Sequence, residues 1–136
     1  MKYLLDVNAL VALGFLEHSF HSRVAAWVAD LAPHDRQLMT CPITELGFVR
    51  VLSQAQQYGF TVQHAWNLLL RLKKSDAVRF GFIDDNHDAS HLPSWTKTAR
   101  QTTDGHRAEL ARAHGTLLAT LDERIPGAFV IPFWQT

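Results

Sequence analysis

Lys2-Tyr3-Leu4-Leu5-Asp6-Val7-Asn8-Ala9-Leu10 stands at the start of the chain and decides how the rest is read. Tyr3, Leu4 and Leu5 form an unbroken apolar run, which suits a strand buried on both faces of a parallel sheet. The run stops at a carboxylate, and Asn8 to Phe15 then reads as a short helix. From about His18, the residues Val24, Trp27, Val28 and Leu31 recur at helical spacing until Pro33-His34-Asp35 breaks them. Gln37 to Thr40 reads as a second short strand. Pro42 suits the first turn of a helix, where its missing N–H costs nothing, and Ile43, Leu46 and Val49 carry that helix toward Tyr58-Gly59. Val62, Ala65, Trp66 and Leu69 mark another helix, which runs out in Arg71, Lys73 and Lys74.

Val78 to Ile83 is a further predicted strand. Asp84 to Thr103 is irregular and polar, with a short helix around Ser94 to Arg100. Asp104 to His114 is a helix closed by Gly115, a favoured residue just past a helix end. Thr116 to Thr120 and Ala128 to Ile131 supply the last strands. Strands alternating with helices predict an α/β fold: a central, mostly parallel sheet of 4–5 strands flanked by helices.

The composition narrows the function. The 136 residues suit one domain, and 47% apolar content supplies a core. Thirteen Lys+Arg balance 13 Asp+Glu, so the chain is no basic polyelectrolyte gripping nucleic acid through bulk charge. A site made of local patches remains open. The single cysteine, Cys41, excludes an internal disulfide framework and a Cys-rich zinc module, and fits a reducing, cytoplasmic setting. Asp6 and Asn8 interrupt the first apolar stretch too early for a signal peptide, and no run approaches a membrane span.

Four acids fall at the ends of these elements. Asp6 closes the first strand, Glu45 lies near the start of the third helix, Asp104 opens the late helix, and Asp122 follows the strand Leu117-Leu118-Ala119-Thr120. Alone, each reads as a cap, a turn residue or a partner for a helix dipole. In a parallel sheet, however, strand ends and following helix starts share one edge, where ligands bind. Carboxylates gathered there repel one another unless a cation neutralises them, and hard oxygen ligands select Mg²⁺ or Mn²⁺.

Four stretches resemble, in order, the motifs of the PIN-domain ribonucleases, specifically the VapC toxins of bacterial toxin–antitoxin pairs. These are LLDVNAL (Leu4 to Leu10), CPITELGFVRVLS (Cys41 to Ser53), TTDGHRAELARAHG (Thr102 to Gly115) and TLLATLDERI (Thr116 to Ile125). The resemblance implies a single three-layer PIN domain over residues 1–136. It also implies an endoribonuclease using one or two Mg²⁺ or Mn²⁺ ions held by Asp6, Glu45, Asp104 and Asp122. Such an ion activates water to hydrolyse an RNA phosphodiester bond. A VapB-type antitoxin and a homodimer are further implications. Asn8 and Thr120 are candidates to orient the carboxylates from behind, although Asn8 reads equally well as a helix N-cap. In the third motif the chain departs from the pattern: Gly105 replaces a small helix former, and Arg107 and Glu109 stand where apolar residues are common.

Arg50, five helical steps of ~100° from Glu45, falls on another helix face and is given no catalytic role. Asp84, Asp85 and Asp88 are lesser alternatives for a missing acid. His87 and His91 share a helical spacing but lack the partners of a zinc site, and read as a solvated loop. His18 and His21 read as surface residues. Arg71, Lys73, Lys74, Arg79, Lys97, Arg100, Arg107 and Arg112 suit either steering of RNA phosphates or solvated helix faces. Trp27 and Trp66 read as core, and Trp66, Trp95 and Trp134 also suit base stacking or a dimer interface. Two alternatives compete with a nuclease. One is a catalytically weak PIN-like module that binds RNA or protein. The other is a haloacid-dehalogenase-like phosphatase, whose required second Asp is replaced here by Asn8.

Overall fold

A computed structural model of the chain describes residues 1–133; Trp134 lies outside the described residues. In β1 (Lys2–Leu5), successive side chains part to opposite faces, as strand geometry requires. Tyr3 and Leu5 enter one apolar cluster and Leu4 enters the other, so the strand is covered on both sides. A leucine buried this way stabilises the fold by about 1.5–3 kcal/mol.

Among the described residues, the remaining α-helices and strands are α1 (Val7–Gly14), α2 (His21–Asp30), β2 (Gln37–Thr40), α3 (Pro42–Gln54), α4 (Val62–Lys73), β3 (Arg79–Phe82), α5 (Thr102–Ala113), β4 (Leu117–Thr120) and β5 (Phe129–Val130). The five strands form one sheet in the order β3-β2-β1-β4-β5, and every pairing is parallel. Helices α1 to α4 supply the larger core with Val24, Trp27, Phe48, Leu52 and Leu69. Helix α5 supplies Leu110 and Ala111 to the smaller one, opposite. The result is the expected three layers.

The strand order reverses between β1 and β4. The chain steps outward from β1 through β2 to β3, then returns to the far side of β1 for β4 and β5. Such a switch point leaves a crevice beyond the strand ends, because the flanking connections diverge there. Close packing of α1 on α3 shapes that crevice. At Gly47, a Cβ would stand 2.5 Å from the Val7 Cγ2, so only glycine allows this approach.

Two expectations need correcting. Trp66 is 48% exposed, because its neighbour Ala65 takes the inward position on α4. The helix expected around Ser94 to Arg100 is only a 3-10 turn at Ala99–Gln101, leading directly into α5. Trp95 instead packs against the smaller core.

Candidate active site

Asp6 follows β1 at the switch point and is only 2% exposed. Its extended backbone makes it the N-cap of α1, where its carboxylate accepts the Val7 N–H at 2.8 Å. Asp122 lies two residues beyond β4, and Asp104 occupies the first turn of α5. All three line one cleft of about 400 Å³, together with Asn8, His18, Arg50 and Arg107. The sheet edge thus gathers three of the four expected acids.

The Thr120 hydroxyl organises the base of this cleft. It donates to Asp6 Oδ2 at 2.8 Å while accepting from the Asn8 amide at 3.2 Å and the Asp122 N–H at 3.1 Å. Asn8 Oδ1 in turn accepts the Leu121 N–H at 3.1 Å. Asn8 is therefore inside α1 and not its cap. It ties the start of that helix to the turn after β4, and so fixes Asp6 relative to Asp122.

Arg107, one turn beyond Asp104 on α5, reaches into the cleft. Its Nη2 lies 2.6 Å from Asp104 Oδ1 and its Nε 2.8 Å from Asp6 Oδ1. The guanidinium is 12% exposed and bridges acids that come from different elements. Burial lifts the Asp104 carboxyl above its ordinary value. Arg107 pulls it back, while Asp6 and Asp122 push it further up. Asp104 therefore does not cap its helix; it belongs to the charge cluster. Asp122 is held below its ordinary value by hydrogen bonding from Arg124, whose side chain is 80% exposed.

Glu45 is placed apart from this group. Its Oε2 accepts from Thr40 and from Lys73, each at 2.6 Å, and it does not line the cleft. The face of α3 that does so carries Arg50, the residue set aside because it faces away from Glu45. His18 was read as a surface residue, yet it lines the same cleft. Burial, reinforced by His21, pushes its imidazole below the usual value. Asp85 pairs with His106, and Asp88 with Ser90 and His91, so neither joins the cleft. The His87 and His91 rings stack with centroids 4.1 Å apart. Of the basic residues considered for phosphate steering, Lys73 and Arg112 hold Glu45 and Glu109, and Arg107 lies inside the cleft.

Among the described residues, no three His, Cys, Asp or Glu side chains are drawn together tightly enough to hold a metal ion as they stand. The donors themselves fit a hard divalent cation. Three carboxylates and a side-chain amide face one polar cleft, and the arrangement already requires a positive charge, which Arg107 provides.

Residues 3–128 match the family model of the PIN domain. The chain is 36% identical to Ribonuclease VapC44 of Mycobacterium tuberculosis, over 94% of each chain. It is also 36% identical to Ribonuclease VapC38 of the same organism, over 88% of this chain and 84% of the relative. The fold superposes on the crystal structure of Mycobacterium tuberculosis VapC20, a Sarcin-Ricin loop cleaving toxin. That match has a TM-score of 0.63 at 15% identity, covering 97% of this chain and 99% of that one. A second solved structure, VapBC2 from Rickettsia felis bound to a promoter DNA fragment, gives a TM-score of 0.58 at 15% identity, over 95% and 96%. With the sheet order, the strand-end acids and these matches in agreement, the chain belongs to the PIN domain family, alongside the VapC ribonucleases that it resembles.

Proposed function

We propose that this chain, as one PIN domain over residues 1–136, is a divalent-metal-dependent endoribonuclease and the toxin of a toxin–antitoxin pair. The observation that carries the reading is the convergence of Asp6, Asp104 and Asp122 on one cleft at the sheet's switch point. Asp6, Asp104 and Asp122 would hold Mg²⁺ or Mn²⁺, with Glu45 reaching the site only after leaving Lys73. When bound, the ion supplies an activated water and offsets charge on the leaving 3′ oxygen. Thr120 and Asn8 hold Asp6 at a fixed angle to Asp122. Arg50 and Arg107 place positive charge where an RNA phosphate would enter the cleft.

The VapC names among the relatives support RNA as the substrate, and the Rickettsia felis VapBC2 complex supports a VapB-type antitoxin as partner. A homodimer and a cytoplasmic setting complete the proposal. No helix among the described residues is long and apolar enough to cross a membrane. The test is cleavage of defined RNAs by the purified chain with and without divalent metal. Cleavage that needs Mg²⁺ or Mn²⁺ and is lost in Asp6→Ala is expected. Cleavage persisting in excess EDTA, or unchanged in Asp6→Ala, overturns the mechanism.

A further inference from the structure

We infer that Arg107 is the resident cation of the acidic cleft, a guanidinium that a divalent metal ion must displace from Asp6 and Asp104. The inference rests on the metal reading above and concerns what the chain does before an ion arrives.

The geometry separates the two oxygens of Asp6. Thr120 holds Oδ2, whereas Arg107 Nε approaches Oδ1 at 2.8 Å. The same guanidinium takes Asp104 Oδ1 at 2.6 Å. One side chain therefore covers an oxygen on each of two acids that a shared ion would need. An ion and Arg107 cannot both occupy that place.

The contact with Asp6 is also imperfect. Arg107 Nε is buried and lies within ion-pair distance, yet it makes no properly directed hydrogen bond. Charge attraction holds Nε at Asp6, and the guanidinium's directed bond runs from Nη2 to Asp104 Oδ1, so no bidentate fork locks it to either acid. Such a group is displaceable, and the cleft of about 400 Å³ gives the side chain somewhere to go.

Its purpose follows from electrostatics. Carboxylates brought together out of water repel, and each is costly to leave charged and unpaired. Arg107 relieves this in the metal-free chain, so the site can fold before it is loaded. The consequence is competition: the apparent affinity for metal falls by the fraction of molecules in which Arg107 holds the acids. Arg124 on Asp122 is the natural contrast, because at 80% exposure it gives up its carboxylate to solvent with little loss.

Mn²⁺ titration calorimetry on the full chain tests this, with Arg107→Met, Arg107→Gln and Arg124→Met alongside. Arg107→Met and Arg107→Gln are expected to bind Mn²⁺ about tenfold or more tightly than the parent, and Arg124→Met to stay within about threefold. Thermal unfolding supplies a second readout. Metal-free Arg107→Met should melt below the parent and gain a larger Mn²⁺-induced rise in Tm. A variant that folds only with Mn²⁺ present supports the same conclusion.

If the parent binds Mn²⁺ and both Arg107 variants bind it equally or more weakly, the displacement is wrong while the metal reading stands. If neither parent nor variants bind Mn²⁺, the metal reading fails and takes this inference with it.

Discussion

Thr120 Oγ1 donates to Asp6 Oδ2 at 2.8 Å across 114 positions of sequence, in a setting where both residues are buried. The bond joins the ends of β1 and β4, and it spends the only proton of the hydroxyl on the carboxylate. The two remaining lone-pair directions accept from Asn8 and from the Asp122 N–H. Replacing Thr120 by Val keeps the shape and strands all three partners. Urea unfolding should show a loss of about 1–3 kcal/mol, the usual cost of unsatisfied buried polar groups. RNA cleavage should fall about 10–100-fold, as for other groups that orient metal-site ligands. Thr120→Ser retains the hydroxyl and should stay close to the parent in cleavage.

Asp6 has two duties that substitution can separate. As N-cap it satisfies the Val7 N–H, and as a charge it faces Arg107. Asp6→Asn keeps a good cap and removes the charge. Asp6→Ala removes both, and so should be less stable than Asp6→Asn by about 1 kcal/mol in chemical denaturation. Both variants should lose cleavage together. If Asp6→Asn retains most of the parent's cleavage, the charge has no part in the reaction and Asp6 is only a cap.

Much of this architecture could be read from short-range pattern. Continuous apolar runs such as Tyr3-Leu4-Leu5 locate strands whatever surrounds them, and Pro42 and Gly115 punctuate helices locally. Asp6, Asp104 and Asp122 were accessible because parallel strands force their ends onto one edge. Arg107 was not. Its sequence position records only a helical neighbour of Asp104, whereas its contact with Asp6 depends on where α5 packs. Arg50 and His18 escaped for a similar reason. The cleft wall is set by Val7 lying against Gly47, a tertiary contact that helical periodicity does not encode. Glu45 went the other way, since Lys73 meets it from another helix.

Asp104 gives the cleft a measurable pH dependence. Burial raises its folded pKa above the ordinary value of 3.8, so the folded chain binds that proton more tightly than the unfolded chain does. Its contribution is fully present below the unfolded value and is lost as pH rises through the folded one. In metal-free samples, the Tm of the parent minus that of Asp104→Asn should therefore fall over the interval that opens near the ordinary value of 3.8 and closes above the raised folded one. Mn²⁺ affinity should rise across the same interval, because the ion competes with the proton for the carboxylate. A difference in Tm that climbs with pH would contradict this environment for Asp104.

The pairing of Glu45 with Lys73 predicts a graded set of losses. Asp6 lies within the cleft, while Glu45 is engaged by Thr40 and Lys73 beside it. Glu45→Gln should therefore reduce cleavage less than Asp6→Asn does, when both are compared by kcat/KM. Lys73→Met removes a partly exposed ion pair, and its stability cost should stay at about 1 kcal/mol or below after solvent screening. Equal loss of cleavage in Glu45→Gln and Asp6→Asn would mean that Glu45 leaves Lys73 and enters the cleft during the reaction.

For a methyl group at Gly105, local and tertiary effects predict opposite signs. Within a helix, Gly→Ala ordinarily stabilises by about 0.5–1 kcal/mol, since alanine loses less backbone freedom on folding. At Gly105, however, a Cβ would stand 2.4 Å from Thr96 Oγ1 and 3.2 Å from Pro93 Cδ. The segment before α5 lies directly on this glycine, and a methyl group must push one away from the other. Gly105→Ala should thus destabilise the chain by about 1–3 kcal/mol, the typical range for overpacking. Thr96→Ala in the same background should recover part of that loss, with Pro93 accounting for the remainder. Because Asp104 and Arg107 ride on this turn of α5, Mn²⁺ binding should weaken in Gly105→Ala and return partially in the double variant. If Gly105→Ala instead stabilises the chain, α5 is not seated on Pro93 and Thr96, and the positions of Asp104 and Arg107 have another cause.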